Sequence, residues 1–387
     1  MAAHSLISPS SAKVWTACTA YPTFSAPYQT DEDSQASREG TAAHELGEAL
    51  VRYALAIKPA VVTPDIRTDF VGKNASNGEM WTDEMFDGAW IYASEVVRIR
   101  NRYPNAHFAL EEKFHASSVH PQSFGTTDSF LYDEESKYVF VMDFKYGFGP
   151  VEAFENLQMI NYTAGIFDTF GINDHEVTVV MTIVQPRGYH REGPIRTWTV
   201  NGSELRRHIN LLHNKAQEAL GSNPMCLTGS HCKYCETRHD CEAALKTGLE
   251  LYETAMNPVR TDMTFDDMGI QLDIVNRAIE QLGFLKTAYE GRISNELRKG
   301  GHVKGWTLSP KLGNKDWTVP IDQIANLGKM MDIDLLKPTS VITPAQAIQK
   351  GLDKDLVNSL SERKQGSVQL VKKGDSVASR IFNNKGK

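Results

Sequence analysis

The sequence predicts an α/β protein: a mixed-sheet core flanked by helices, followed by a mainly helical C-terminal extension. Three observations carry this. Three short β-rich segments, FALEEKF (108–114), FGTTDSFLYDE (124–134) and KYVFVMDFKYG (137–147), follow one another between turn residues. A helical pattern and then the almost continuous apolar run EVTVVMTIVQP (176–186) come next, and such a run fits a strand buried on both faces. Beyond Cys241 a long amphipathic pattern spans 264–299.

In chain order, Ser8-Pro9-Ser10 supplies the cap and first turn of a short helix carrying Trp15 and Cys18. Residues 22–38 are polar and turn-rich and read as a loop. From Glu39 to Ala56, Ala43, Leu46, Leu50, Tyr53 and Ala54 recur at helical spacing, with His44 and Glu48 on a neighbouring face. Residues 59–80 read as irregular, and a helix from Asp83 to Arg102 is stopped by Pro104. After the three strands, a helix over 154–169 carries an apolar stripe of Phe154, Leu157, Ala164 and Phe167. A helix over 203–220 leads into a cysteine cluster, and short segments broken by glycine and proline follow residue 299.

Composition bounds the function. The chain has 387 residues, 41% hydrophobic and 23% charged, enough for two domains. No stretch approaches the roughly 18 apolar residues of a membrane helix, and MAAHSLISPSSAK lacks the apolar core of a secretory signal. Four of the five cysteines fall between 226 and 241, which points to a metal or cluster in a reducing compartment, with the cytoplasm as the expected location. The net charge of −7 is uneven: residues 301–387 carry 14 Lys/Arg against 8 Asp/Glu, and the remainder 27 against 40. An acidic body with a basic tail suits an enzyme built on carboxylates, and equally a protein with a solvated tail.

The sharpest chemical signal is an acidic hairpin. A tight hairpin centred between residues 135 and 136 places Asp128 opposite Asp143, about 5 Å apart on one face. Like charges so placed repel, and a divalent cation offsets that repulsion. Lys145 projects from the same face as Asp143, while Phe144 points into the core. Two aspartates and a lysine around one point are what phosphodiester hydrolysis needs: hard oxygen ligands for Mg²⁺ or Mn²⁺, and an ammonium to offset developing charge. Alone, the D-x-K triplet reads first as a surface ion pair on an edge strand; Val139, Val141 and Phe144 weaken that reading because they mark a core strand. Gln158 and Tyr162 share a helix face, either as plain surface groups or within reach of the acidic site. His44 is either a satisfied histidine or a Mn²⁺ ligand on a helix that Gly40, Ala42 and Ala43 let approach the sheet.

The run HCKYCETRHDC places Cys232, Cys235 and Cys241 at C-x2-C-x5-C spacing. Candidates for a fourth ligand are Cys18, Cys226, His231 and His239. A [4Fe–4S] cluster and structural Zn²⁺ are equally compatible with that spacing.

Taken together, these pieces resemble the RecB/AddB-type branch of the PD-(D/E)XK nucleases, and within it the iron–sulfur members and a RecB-like family common in phages. The resemblance rests on Cys18, the Gly40–His44 G-x-x-x-H, Gly125-Thr126-Thr127-Asp128, Asp143-Phe144-Lys145, Gln158 to Tyr162, and Cys232/Cys235/Cys241, in that order. It covers residues 5–245. It implies a restriction-endonuclease-like mixed sheet over 1–245 and leaves 246–387 as an extension for DNA or a partner. It further implies that His44, Asp128, Asp143 and the Phe144 carbonyl bind Mg²⁺ or Mn²⁺, that Lys145 is catalytic, and that Gln158 and Tyr162 position the site and DNA. Cys18, Cys232, Cys235 and Cys241 would carry a [4Fe–4S] cluster. Thr127 stands where the family usually has proline, and no P-loop motif is present, so unwinding would need another protein.

The expectation is thus a metal-dependent DNA exonuclease, phage-encoded, acting in recombination, replication or DNA degradation. Lys364, Lys372, Lys373 and Arg380 would track the phosphate backbone. Candidate partners are a single-strand annealing protein, a helicase or a replication protein. The alternatives are a non-catalytic DNA-binding or assembly protein on the same fold, and a structure-specific endonuclease.

Overall fold

The computed structural model describes residues 5–28, 35–56, 64–188, 190, 192–256, 263–331 and 352–372, together with 333, 335, 343–344 and 347. Its centre is a five-stranded mixed sheet, β1 (His107–His115), β2 (Phe124–Asp133), β3 (Tyr138–Phe144), β4 (Thr178–Val184) and β5 (Ile195–Asn201), in that spatial order. All neighbours are antiparallel except β3 and β4, which run parallel. A parallel pair needs a crossover, supplied here by α6 (Leu157–Phe170).

Strand alternation divides the core between the two faces of the sheet. In β3, Val139 and Val141 join one cluster while Phe140, Met142 and Phe144 join the other. The first cluster is covered by α1 (Ala12–Trp15), α2 (Tyr21–Ser25), α6 and α7 (Gly202–Ala219). The second is covered by α3 (Gln35–Ala56) and α5 (Asp83–Arg102), with α4 (Pro64–Phe70) beside them. This is the helix-flanked mixed-sheet core that the sequence predicts.

Local chemistry sets the helix ends. The Thr82 hydroxyl accepts from Met85 N at 3.2 Å to start α5, which carries Asp83 and Glu84 in its first turn and Arg100 and Arg102 in its last. Asn156 caps α6 through the amides of Gln158 and Met159, and Gly171 ends it in the left-handed conformation. Val179, Met181 and Ile183 of β4 face one core cluster and Val184 the other, as the unbroken apolar run implies.

Several elements depart from the expectations. Part of the predicted 22–38 loop is helical, in α2 and the first residues of α3, while residues 29–34 lie outside the described set. The irregular 59–80 stretch contains α4. β5 and α8 (Glu242–Met256) are additional. Phe154 precedes α6 rather than lying on its apolar stripe, and is 65% exposed.

The chain forms two compact units, Met1–Phe284 and Leu285–Lys387, and the division falls inside the long helix α9 (Phe265–Arg298). The second unit adds β6 (Trp306–Trp317), α10 (Ile321–Met330), α11 (Lys354–Ser359) and β7 (Ser361–Lys372). β6 and β7 form an antiparallel ribbon with irregular register around Leu312, where short broken segments were expected. This unit has its own small core of Ile324, Leu335, Ala347, Leu352 and Val357. Among the described residues, no helix is long and apolar enough to cross a membrane.

Candidate active site

The register of the central hairpin is the one that brings Asp128 and Asp143 together. Ser129 pairs with Met142, Phe130 with Val141 and Asp133 with Tyr138, so the next rung holds the two aspartates. Asp128 Oδ2 accepts from the Phe144 amide at 2.6 Å, which fixes the carboxylate at the end of that rung. Both aspartates are buried.

α6 delivers the polar partners. Lys145 Nζ lies 2.9 Å from Asp143 Oδ2 and donates to Gln158 Oε1 at 3.0 Å. Gln158 Nε2 donates to Asp143 Oδ1 at 3.2 Å and to the Tyr162 hydroxyl at 3.0 Å. One amide therefore ties Asp143, Lys145 and Tyr162 together. Gly125 of β2 allows this close approach: a Cβ there would stand 2.7 Å from Pro9 Cγ and 3.1 Å from the Tyr162 ring.

From the other side, α3 brings His44, whose Nδ1 is 3.2 Å from Asp128 Oδ1 and whose ring sits 5.6 Å from that of Phe144. Ala42 and Ala43 are fully buried, as close approach requires, but Gly40 faces open space. Gly40, His44, Glu45, Glu48 and Glu111 line a hollow of about 480 Å³.

Glu111 is the residue that sequence reasoning missed. It stands across from Asp128 in the β1–β2 register, between the pairs Leu110–Ser129 and Glu112–Thr127. Its backbone adopts φ = 50°, the left-handed region that non-glycine residues avoid. Strand parity changes there: Phe108 and Leu110 pack with one core cluster and Phe114 with the other. That break hides Glu111 from a period-2 reading, although the adjacent glutamates of FALEEKF were visible.

The charges are strongly coupled. Burial works against the His44 cation, but Asp128 outweighs it, and the imidazole is pushed up to about 9. Burial raises Asp128, and His44 outweighs that and holds the carboxyl below its usual range. Asp143 is raised, by burial first and by Asp128 as well, against the opposing pull of Lys145. Burial opposes the Lys145 ammonium, yet Asp143 keeps its pKa above the ordinary value. Glu111 is pushed up to about 7 by burial and by Asp128. Three carboxylates thus face two cationic groups.

These residues fit a divalent cation. One donor atom each from His44, Glu111 and Asp128 lie within 4.8 Å of one another. Asp143 Oδ2 is buried with the Lys145 ammonium 2.9 Å away as its polar neighbour, and a carboxylate oxygen can serve both an ammonium and an ion. Carboxylate oxygens with one imidazole suit Mg²⁺ or Mn²⁺, provided that the cation displaces the proton of His44. The compact donor group contains Glu111 in the place expected for Asp143.

A second anchoring residue, Gln185, holds the segment after Lys145. Its Nε2 donates to the carbonyls of Gly147 and Gly149, each at 2.7 Å, and its Oε1 accepts from Val151 N and Arg196 Nη2.

The cysteines also converge. Cys226 and Cys241 Sγ atoms are 3.5 Å apart, and Cys18 contacts Cys226 and His231. Cys232 contacts His231 in turn, whose ring is pushed up to about 10 chiefly by its bonds to Cys18 and Cys232. The N-terminal segment is held there by Ala20 N to Met225 O at 3.1 Å and Met225 N to Thr19 Oγ1 at 2.8 Å. His239 pairs with Asp240 at 3.0 Å. Cys235 Sγ lies 3.2 Å from the Thr237 hydroxyl, and among the described residues these side chains do not present three donor atoms as closely grouped as those of His44, Glu111 and Asp128. Of the C-terminal cations, Lys364 and Lys372 fall on β7, while Lys373 and Arg380 lie outside the described residues.

No curated protein matches the chain. Among solved structures it is similar to that of a provisionally named exonuclease from Eubacterium rectale, with a TM-score of 0.35 and 11% identity, covering 68% of this chain and 92% of that one. A likeness at that level carries no functional argument. A family model described as "Protein of unknown function (DUF2800)" matches residues 4–377, and by that near-complete match the chain belongs to this family.

Proposed function

We propose that this protein is a metal-dependent deoxyribonuclease that removes nucleotides from DNA ends. The observation that carries this reading is the convergence of His44, Glu111 and Lys145 on the buried Asp128 and Asp143 of neighbouring strands β2 and β3. Two buried aspartates and Glu111 outnumber the two cationic groups beside them, and metal-dependent phosphodiester hydrolysis is the chemistry that such a group serves.

In this mechanism His44, Glu111, Asp128 and Asp143 would hold Mg²⁺ or Mn²⁺. When bound, the cation polarises the scissile phosphate and makes a water more acidic. The Lys145 ammonium, fixed between Asp143 and Gln158, orients the attacking water and offsets negative charge building on the phosphate. Gln158 keeps Lys145 and Asp143 in register, and Tyr162 fixes Gln158 through its hydroxyl. Water adds to phosphorus and the sugar oxygen leaves with a proton, giving a phosphomonoester and an alcohol.

The finer parts of the reading rest on the family resemblance. Cys18, Cys232, Cys235 and Cys241 hold a [4Fe–4S] cluster, with structural zinc as the alternative. The protein is phage-encoded and acts in the host cytoplasm on DNA undergoing recombination, replication or breakdown, beside an annealing protein, helicase or replication protein. Residues 246–387 supply DNA or partner contacts.

The test is cleavage of end-labelled linear and closed circular DNA with Mg²⁺ or Mn²⁺, comparing wild type with Asp143→Ala and Lys145→Ala. The expected result is short-product release from linear DNA alone, reduced by at least about 10²-fold in either variant. Cutting of circles would favour the structure-specific endonuclease. No cutting by folded, metal-loaded wild type would favour the binding-protein reading.

A further inference from the structure

A cavity of about 890 Å³ opens beside the candidate active site. Its lining joins Lys145 and Gln158 to the serine-rich N-terminal segment, to the turn before α6, and to Tyr234 and Glu236 in the cysteine-bearing segment. The volume falls within the range of about 300–1,000 Å³ typical of small-molecule pockets.

Two rings in this lining stay in solvent. Phe154 is 65% exposed and Tyr234 53% exposed. Phe154 is braced edge-on by Trp198 at 5.5 Å, and Lys233 Nζ stands 5.5 Å from the centre of the Tyr234 ring. The next residue, Glu155, has φ = 49°, so the turn presenting Phe154 is held in a conformation that glutamate does not choose. Phe154 therefore shares the lining with a candidate catalytic lysine, with part of its ring open to a ligand.

The charge of the lining tells which part of a nucleic acid fits. Lys13 and Lys145 face Glu152, Glu155 and Glu236, so the cavity is not a basic trough for phosphates. Base faces carry no charge and stack on aromatic rings whatever their sequence. The hydroxyls of Ser8 and Ser10 add neutral donors and acceptors for base edges or sugars.

We propose that this cavity receives the unpaired bases flanking the scissile phosphate, with Phe154 and Tyr234 as stacking platforms, so that the bound substrate is a single strand. This deepens the nuclease reading and rests on it. A duplex reaches the site only after its end has been separated.

The experiment measures binding by anisotropy with metal chelated, using full-length protein and a fluorescein-labelled oligonucleotide, single-stranded or as a blunt duplex. The expected result is tighter binding of the single strand. Phe154→Ala with Tyr234→Ala should weaken it by about tenfold or more, since each stacked base is worth about 5- to 150-fold. The salt dependence should be unchanged, because neither ring neutralises a phosphate. Tyr234→Phe should bind as wild type, as should Tyr252→Ala, an exposed ring on α8. Single-strand affinity within about twofold of wild type in the double variant would overturn the proposal, as would wild type preferring the duplex. Cleavage with Mn²⁺ is read separately. Ring-dependent binding without cleavage leaves the cavity assignment standing and removes the nuclease reading; cleavage with ring-independent binding does the reverse.

Discussion

Glu111 holds a backbone conformation that costs an L-residue about 1–2 kcal/mol, in the middle of a strand, across from Asp128. Stability alone would favour glycine or asparagine at this position. Glu111→Gly should therefore stabilise the metal-free protein by about 1 kcal/mol, read by thermal unfolding in the presence of chelator, because it removes both the strain and one of three crowded carboxylates. The same substitution should weaken Mn²⁺ binding by at least about tenfold, read by calorimetry. Unchanged Mn²⁺ affinity would take Glu111 out of the metal site, and a loss of stability would show that its carboxylate is held by favourable partners. Such opposed effects separate a residue kept for function from one kept for the fold.

At the scale of elements, the sequence was most informative where pattern and burial agree. The Asp128–Asp143 rung follows from counting across a tight turn, and the turn at 134–137 is short enough to fix that count. β5 escaped notice because its inward positions are Arg196, Trp198 and Val200, and the first of these reads as polar. Arg196 is nevertheless only 3% exposed, its guanidinium bonded to the carbonyls of Val151 and Gly193 and to Gln185. Glu111 was hidden by the change of strand parity, and the β6–β7 ribbon by irregular pairing around Pro310 and Leu312. The cysteine elements were legible as a cluster but not as a ligand set, because Cys226 lies as near Cys241 as any sulfur pair would in a shared site. Single Cys→Ser variants decide this through iron, sulfide and zinc content. If the four expected cysteines are the ligands, Cys226→Ser retains a full complement of metal and Cys18→Ser loses it. Retention in Cys18→Ser with loss in Cys226→Ser would exchange their roles.

For the whole molecule, charge and architecture divide the chain in related ways. The second compact unit begins at Leu285 and has a core of its own, and the excess of cations lies within it, in residues 301–387. The unit bearing the acidic site has no such excess, and its cavity beside Lys145 carries more carboxylates than lysines. On the proposed function, a nuclease so arranged cannot grip a polyanion by the net charge around its site, so the phosphate-dependent part of its affinity has to come from elsewhere on the chain. If Lys364, Lys372, Lys373 and Arg380 supply it, replacing all four with alanine lowers the slope of log affinity against log salt. The decrease is about 0.7 for each phosphate no longer neutralised on a single strand, or about 0.9 on a duplex. Affinity for long DNA should fall at low salt and converge with wild type as salt rises, since screening removes the same contribution from both. Cleavage of an oligonucleotide too short to span both units should change little, because its binding rests on the cavity and the metal ligands. An unchanged salt slope in the fourfold variant would assign these cations to solvation or to a protein partner. Equal losses on short and long substrates would mean that the substitutions disturb the catalytic unit itself.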